Sequence, residues 1–252
     1  MLILVSLLLK PGMCADSVPV ANWLEKYQGA GGKITYDAQE KSLSIVKRST
    51  DRIDVDLKDT PPCASVRKVY FQGVKVSDSD IAALASWPDL TCIHTTDCAA
   101  IGDAGAKSMA TMLKLEEVVL GETSITSAGL NAFSRHKSIR RLDMSSTNIN
   151  KSSVRSVNLF EMPALETLGL CCDDAVSISL ADLPTLRSFS GTFSSVESVS
   201  LDGISSLTEI DFSYSKLSSI RVVNCDKLLA IIATKSLIAD DQLADVLRKS
   251  KK

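Results

Sequence analysis

From about Val154 onward the chain repeats itself every 21 residues. Leu165, Leu186, Leu207 and Leu228 form one column, Leu168, Phe189, Ile210 and Ile231 a second, and Leu170, Gly191, Phe212 and Ala233 a third. Between them run Val157, Ile178, Val199, Ile220, then Leu159, Leu180, Leu201, Val222, then Met162, Leu183, Ile204, Cys225. A period this short limits the fold more than any local propensity does, because one unit cannot bury its apolar side alone and must stack on copies of itself. The second set of columns opens with period-two alternation, which predicts a strand-like or extended segment on the back of each unit. Cys225 stands in an otherwise apolar column and reads as a small buried hydrophobe.

The first half repeats at a longer step. Val66-x-x-Val69-x-Phe71, Leu90-x-x-Ile93-x-Thr95, Leu115-x-x-Val118-x-Leu120 and Ile139-x-x-Leu142-x-Met144 start 24, 25 and 24 residues apart. Each is a short strand whose fourth and sixth residues point inward, leaving the third, fifth and seventh on the other face. Val74, Cys98, Thr123 and Thr147 follow at the turn, with Val76, Ile101, Ile125 and Ile149 behind them. Next stand Ser77, Gly102, Thr126 and Asn150, residues favoured at helix N-caps. Helical spacing continues in Ile81, Leu84, Trp87, in Ala106, Met109, Leu113, and in Leu130, Phe133. Each unit therefore reads as strand, turn, helix.

This pattern resembles the leucine-rich-repeat family, whose consensus L-x-x-L-x-L-x-x-N/C-x-L is approached by Leu90 to Ile101 and by Leu115 to Ile125, with Cys98 and Thr123 at the Asn/Cys position. Val76 to Ile81, Ile101 to Ala106 and Ile125 to Leu130 look like the I-T-D-A-G-L signature of bacterial, planctomycete-like repeats, and the second half looks like 21-residue bacterial surface repeats. Departures are Thr95 and Gly191 at inward positions and the 26-residue step from Ile139 to Leu165. The resemblance implies an α/β solenoid with a parallel ladder sheet. Its convex side would be helical in the first half and strand-like or extended in the second. Residues 63–232 are the expected repeats and 233–252 a C-terminal cap and tail, built on Leu243, Val246 and Leu247 at helical spacing. Residues 16–62 are the expected N-terminal cap: an amphipathic helix over 18–28, the Gly29–Gly32 joint, then strands near Ile34–Tyr36, Leu43–Val46 and Ile53–Leu57.

Met1 to Leu9 is almost wholly apolar and is followed by Lys10-Pro11-Gly12 and by Ala15, so residues 1–15 read as a signal peptide and the protein as secreted or held in the cell envelope. It is cytoplasmic if the leader is not a signal. The apolar run is too short to span a bilayer, which takes about 20 residues. The net charge of -2 comes from interspersed acids and bases, so nothing gathers phosphate backbones or lipid headgroups, and nucleic acid is not an expected partner. The basic end Arg248, Lys249, Lys251, Lys252 suits a helix C-terminus. Beyond Cys14, six cysteines remain, an even number that permits disulfides without fixing a connectivity.

Chemistry is sparse. His94 and His136 are the only imidazoles, and no catalytic motif, metal set or cofactor motif is legible. Cys92 and His94 share the outward face of one strand, about 7 Å apart. A thiol-dependent enzyme or metal site there is the minor alternative to two ordinary surface residues, since no orienting group is identifiable. Cys171–Cys172 point to opposite faces, Asp173–Asp174 reads as a solvated turn, and Gly29–Gly32 lacks the spacing of a phosphate loop. The outward strand positions remain. In the first half they carry Lys68, Tyr70, His94, Glu117, Arg141 and Asp143, while Ser188, Ser190 and their neighbours are small and hydroxyl-rich. Aromatic and Arg side chains are frequent interface anchors. The expected function is a non-enzymatic macromolecule-binding module acting through these six residues on a protein partner, with a structural scaffold of the envelope or surface as the alternative.

Overall fold

The computed structural model describes residues 32–47, 54–58, 60, 62–144, 154–170 and 177–250. The expected leader 1–15, the helix over 18–28, Gly29 to Gly31, Asn150, Cys171 to Asp174, Lys251 and Lys252 lie outside the described residues. In chain order the elements are β1 Gly32–Asp37, β2 Ser42–Lys47, β3 Lys68–Gln72, α1 Asp78–Leu84, β4 Cys92–Thr96, α2 Asp103–Ala110, β5 Glu117–Leu120, α3 Ser127–Asn131 and β6 Arg141–Asp143. There follow β7 Ser156–Phe160, β8 Thr167–Gly169, β9 Ser177–Ala181, β10 Ser188–Ser190, β11 Ser198–Asp202, β12 Glu209–Asp211, β13 Ser219–Val223, β14 Ala230–Ile232 and α4 Asp240–Lys249.

These make one mixed α/β body around a long sheet of ten strands, ordered β1-β2-β3-β4-β5-β6-β8-β10-β12-β14. Only β1 and β2 pair antiparallel; from β2 onward every neighbour is parallel and in register, as in Val69↔Ile93↔Val118↔Leu142↔Leu168↔Phe189↔Ile210↔Ile231. That series is the inward column of the sequence, carried across both periods. The 26-residue step leaves the register intact, because Arg141 pairs with Thr167 directly. A second sheet, β13-β11-β9-β7, appears only where the period is 21. It aligns Val157, Ile178, Val199 and Ile220 side by side.

Size compensates between neighbouring units. Gly191 stands at an inward position because the Phe212 ring of the next unit fills its space: a Cβ there would lie 2.7 Å from Phe212 Cδ1. Phe212 in turn meets Phe189 edge-on at 5.2 Å. The inward Thr95 hydroxyl donates to the Val119 carbonyl at 3.2 Å, so no polar group is left bare there.

In the first half the helices are chained by carboxylates. Ser77 and Thr126 cap α1 and α3 through their hydroxyls, and Gly102 starts α2 without a side-chain bond. Asp78 Oδ1 accepts from Gly102 N at 2.7 Å in the next unit. Asp103 repeats this one unit on, accepting from Thr126 N at 2.7 Å, the Thr126 hydroxyl at 2.6 Å and Gly129 N at 3.1 Å. Gly105 and Gly129 are the matching partners, since a Cβ at Gly105 would sit 2.7 Å from Asp78 Oδ1. The aspartate and the glycine of the D-A-G stretch are thus the two halves of one junction between units. Asp80 occupies the glycine position of the first such unit and reaches back instead, accepting from Leu57 N at 2.8 Å. Burial works to raise the Asp103 pKa, but the bonds from Thr126 and Gly129 outweigh it and hold the carboxyl below its ordinary range.

Several expectations need correction. Leu113 is 78% exposed, because α2 ends at Ala110 and the chain turns so that Met112 and Leu115 are buried in its place. Trp87 and Phe133 are buried, yet both lie beyond the ends of their helices. Asp54 to Leu57 is not a strand; it touches the sheet through a single bridge, Asp54↔Lys75. Helix α4 forms where expected, with Leu243 buried and Val246 and Leu247 partly so. No helix among the described residues is long and apolar enough to cross a membrane.

Candidate functional site

Strands β3 to β6 place the six expected residues in two adjacent outward rows. Pairing puts Lys68, Cys92, Glu117 and Arg141 in one row and Tyr70, His94, Val119 and Asp143 in the other. Neighbouring strands stand about 4.8 Å apart, so each side chain reaches the next.

Five of the six form one linked chain of contacts, and Lys68 beside them pairs with a residue from outside these strands. Lys68 Nζ is 2.7 Å from Glu40 Oε2, a carboxylate that the turn between β1 and β2 supplies. Tyr70 meets the His94 ring edge-on at 4.9 Å. His94 Nε2 lies 3.1 Å from Glu117 Oε1, although it makes no hydrogen bond of good geometry with any described residue. Arg141 Nε is 3.6 Å from the same Glu117 oxygen, while its terminal nitrogen is 2.6 Å from Asp143 Oδ2. All six expected residues therefore belong to one surface.

One residue of this patch, Glu40, escaped the sequence reading, and a second, Cys92, is less exposed than expected. Glu40 comes from a separate hairpin, and nothing in its local sequence marks it. Cys92 was expected on the exposed face; it does face that way but is 3% exposed. Its Sγ lies 3.9 Å from Glu117 Oε2. Burial first, and the Glu117 charge second, push this thiol up to about 12, so it keeps its proton at neutral pH.

His136 is absent from the surface altogether. It is buried against the turn after α3, where Nδ1 accepts from Ser138 N at 3.3 Å and Ile139 N at 3.2 Å. Those two donors leave Nε2 to carry the proton and donate to the Met112 carbonyl at 3.2 Å. Burial, partly offset by that bond, lowers its pKa from 6.5.

The second half has its own exposed feature, which the reading of its strand positions missed. Phe193 and Tyr214, 63% and 48% exposed, stack at 4.8 Å with ring planes 6° apart, and Lys235 Nζ sits 5.1 Å from the Tyr214 ring centroid. The three are spaced by 21 residues and all have positive φ, at corners just past the strands. The spacing was visible in the sequence; the outward orientation, set by the left-handed corner, was not.

No family model matches the chain, and no curated protein matches it. Among solved structures, the Toll–Spatzle complex, described as a molecular hub in Drosophila development and innate immunity, aligns with 83% of this chain and 45% of that one at 11% identity and a TM-score of 0.25. The chain thus spans less than half the length of that neighbour, and a superposition this loose carries no functional argument.

Proposed function

We propose that the chain is a leucine-rich-repeat solenoid that works as a non-enzymatic binding module, holding a protein partner against the outward face of β3 to β6. The observation that carries this reading is the patch itself. Tyr70, His94, Glu117, Arg141 and Asp143 are linked across four consecutive strands, and Lys68 beside them is held by Glu40, so each has a neighbour's contact before any partner arrives. Fixed side chains lose little freedom on association, which is where interfaces usually forfeit affinity. Both charge signs and two aromatic rings occur within the patch, a composition that suits a protein surface better than a polyanion. The apolar leader supports placing the protein outside the cytoplasm.

The protonated, buried state of Cys92 favours binding over thiol catalysis, since a nucleophile must be a thiolate. Structural packing within an envelope, with no discrete ligand, is the competing reading. It predicts no loss from single substitutions on this face. Binding isotherms of Tyr70→Ala and Arg141→Ala against a purified partner separate the two: each should weaken binding by about 1 to 3 kcal/mol, with Ser188→Ala and Ser190→Ala neutral. Unchanged isotherms for Tyr70→Ala and Arg141→Ala would remove the proposal.

A further inference from the structure

Within the patch, one cluster does more than present side chains. Cys92 and His94 lie two residues apart on the same face of β4, and strand register sets Glu117 of β5 opposite Cys92. The thiol sulfur, an imidazole nitrogen and a carboxylate oxygen all lie within 4.8 Å of one another. Cys92 Sγ is 3.9 Å from Glu117 Oε2, and His94 Nε2 is 3.1 Å from Glu117 Oε1. Ligand atoms around a tetrahedral zinc ion stand about 3.5 Å apart, given bonds of roughly 2.0 to 2.3 Å. The cluster needs to close by about an ångström at its widest edge.

His94 Nε2 supplies a second observation. It is shielded from solvent and lacks a hydrogen-bond partner among the described residues, while facing the Glu117 carboxylate. A buried polar atom without a partner calls for an explanation, and an ion is one of the few that fit. The donor set also has chemical sense: sulfur, nitrogen and oxygen together suit a borderline-soft divalent ion such as zinc and are poorly matched to calcium or magnesium.

We propose that Cys92 Sγ, His94 Nε2 and a Glu117 carboxylate oxygen form a zinc-type divalent metal site, with the fourth position open to solvent. His94 and Glu117 are only partly buried and Arg141 lies on the outer side, so that position faces the same direction as the binding patch. Cys92 keeps its proton until the metal displaces it: on binding, the S–H bond breaks, the proton passes to buffer, and the sulfur pair goes to the metal; nothing is oxidised or reduced. The ion takes over from Arg141 as the counter-charge to Glu117, leaving the guanidinium to Asp143. The site lies outside single-strand sequence logic because its third ligand comes from the next unit, 23 residues after His94. It is independent of any partner protein, so its failure would leave the binding proposal standing.

Cobalt(II) titration of the full chain, with cysteines reduced and metal stripped, tests this directly. One equivalent should produce a thiolate-to-cobalt charge-transfer band with the intense visible absorption of a four-coordinate ion, and zinc should bleach it at the same stoichiometry. Cys92→Ser should abolish the charge-transfer band. His94→Ala and Glu117→Gln should each weaken cobalt binding about tenfold or more, as loss of a direct ligand costs at least what loss of its supporting group does. Glu117 is partly exposed, so Glu117→Gln is read on folded protein, checked by circular dichroism. The double variant Cys171→Ser/Cys172→Ser should keep the band. A band that survives Cys92→Ser, or one that disappears with Cys171→Ser/Cys172→Ser, overturns the assignment, as does absence of any band at millimolar cobalt.

Discussion

Replacing Gly129 by alanine sets two physical effects against each other. Gly129 lies inside α3, where alanine is favoured over glycine by about 0.8 to 1 kcal/mol. A surface reading therefore predicts stabilisation. Packing predicts the reverse, because a Cβ at this site would fall 2.9 Å from Ile125 Cγ2 and 3.0 Å from Asp103 Cα, and would press on Asp103 Oδ1. Backbone of the preceding unit cannot yield without shifting α2. Overpacking costs about 1 to 3 kcal/mol. Displacing the Asp103 carboxylate from Thr126 and Gly129 adds about 1.5 to 3 kcal/mol for a bond to a charged group. Net destabilisation of about 1.5 to 5 kcal/mol follows after subtracting the helix preference. Urea unfolding of Gly129→Ala, Asp103→Ala and the double variant measures this as a cycle. The glycine substitution should be less harmful once the Asp103 carboxylate is gone, while the contacts with Ile125 and the residue 103 backbone remain. Stabilisation by Gly129→Ala, or an equal cost in both backgrounds, would refute the junction between aspartate and glycine.

Three further outcomes are expected. Leu168→Ala and Ile210→Ala, both in the buried inward column, should cost about 2 to 5 kcal/mol in urea unfolding, against under about 0.5 kcal/mol for Ser190→Ala; equal midpoints would mean the strand phase is wrong. The His136 imidazole, held below 6.5 by burial, takes up its proton more readily unfolded than folded. Stability should therefore be full above about pH 7, fall as pH drops through 6.5, and level off below the folded value; a His94→Gln background should keep this slope, and a flat profile between pH 7.5 and 5.5 would contradict it. Mature protein recovered from the native host should begin near Asp16 by N-terminal sequencing, and intact Met1 would defeat the export reading.

The parallel ladder and its inward columns were legible because burial on one side imposes a period that a single chain displays, as Leu168, Phe189 and Ile210 do. The caps Ser77 and Thr126 were legible for a local reason, since each hydroxyl serves its own helix. What escaped depends on register between units. Asp103 and Gly129, Gly191 and Phe212, and Cys92 and Glu117 are each far apart in sequence and meaningful only as pairs. Leu113 was misassigned because spacing continued past a helix that had already ended. His136 gave no signal, since its two backbone donors lie in a turn whose shape no pattern of apolar residues specifies.

Docking of a protein partner on the outward face of β3 to β6 is the proposal on which the binding function rests. Photo-crosslinking tests it most directly. A benzophenone side chain is placed at exposed Gln72 beside Tyr70, at Lys107 on α2, or at Tyr214 on the aromatic corner. A discrete adduct is expected from position 72 in extract of the native host, lost when Tyr70→Ala or Arg141→Ala is added, and none from the other two positions. Adducts from position 107 or 214 with none from position 72, or an adduct at position 72 that both alanine variants leave unchanged, would contradict it.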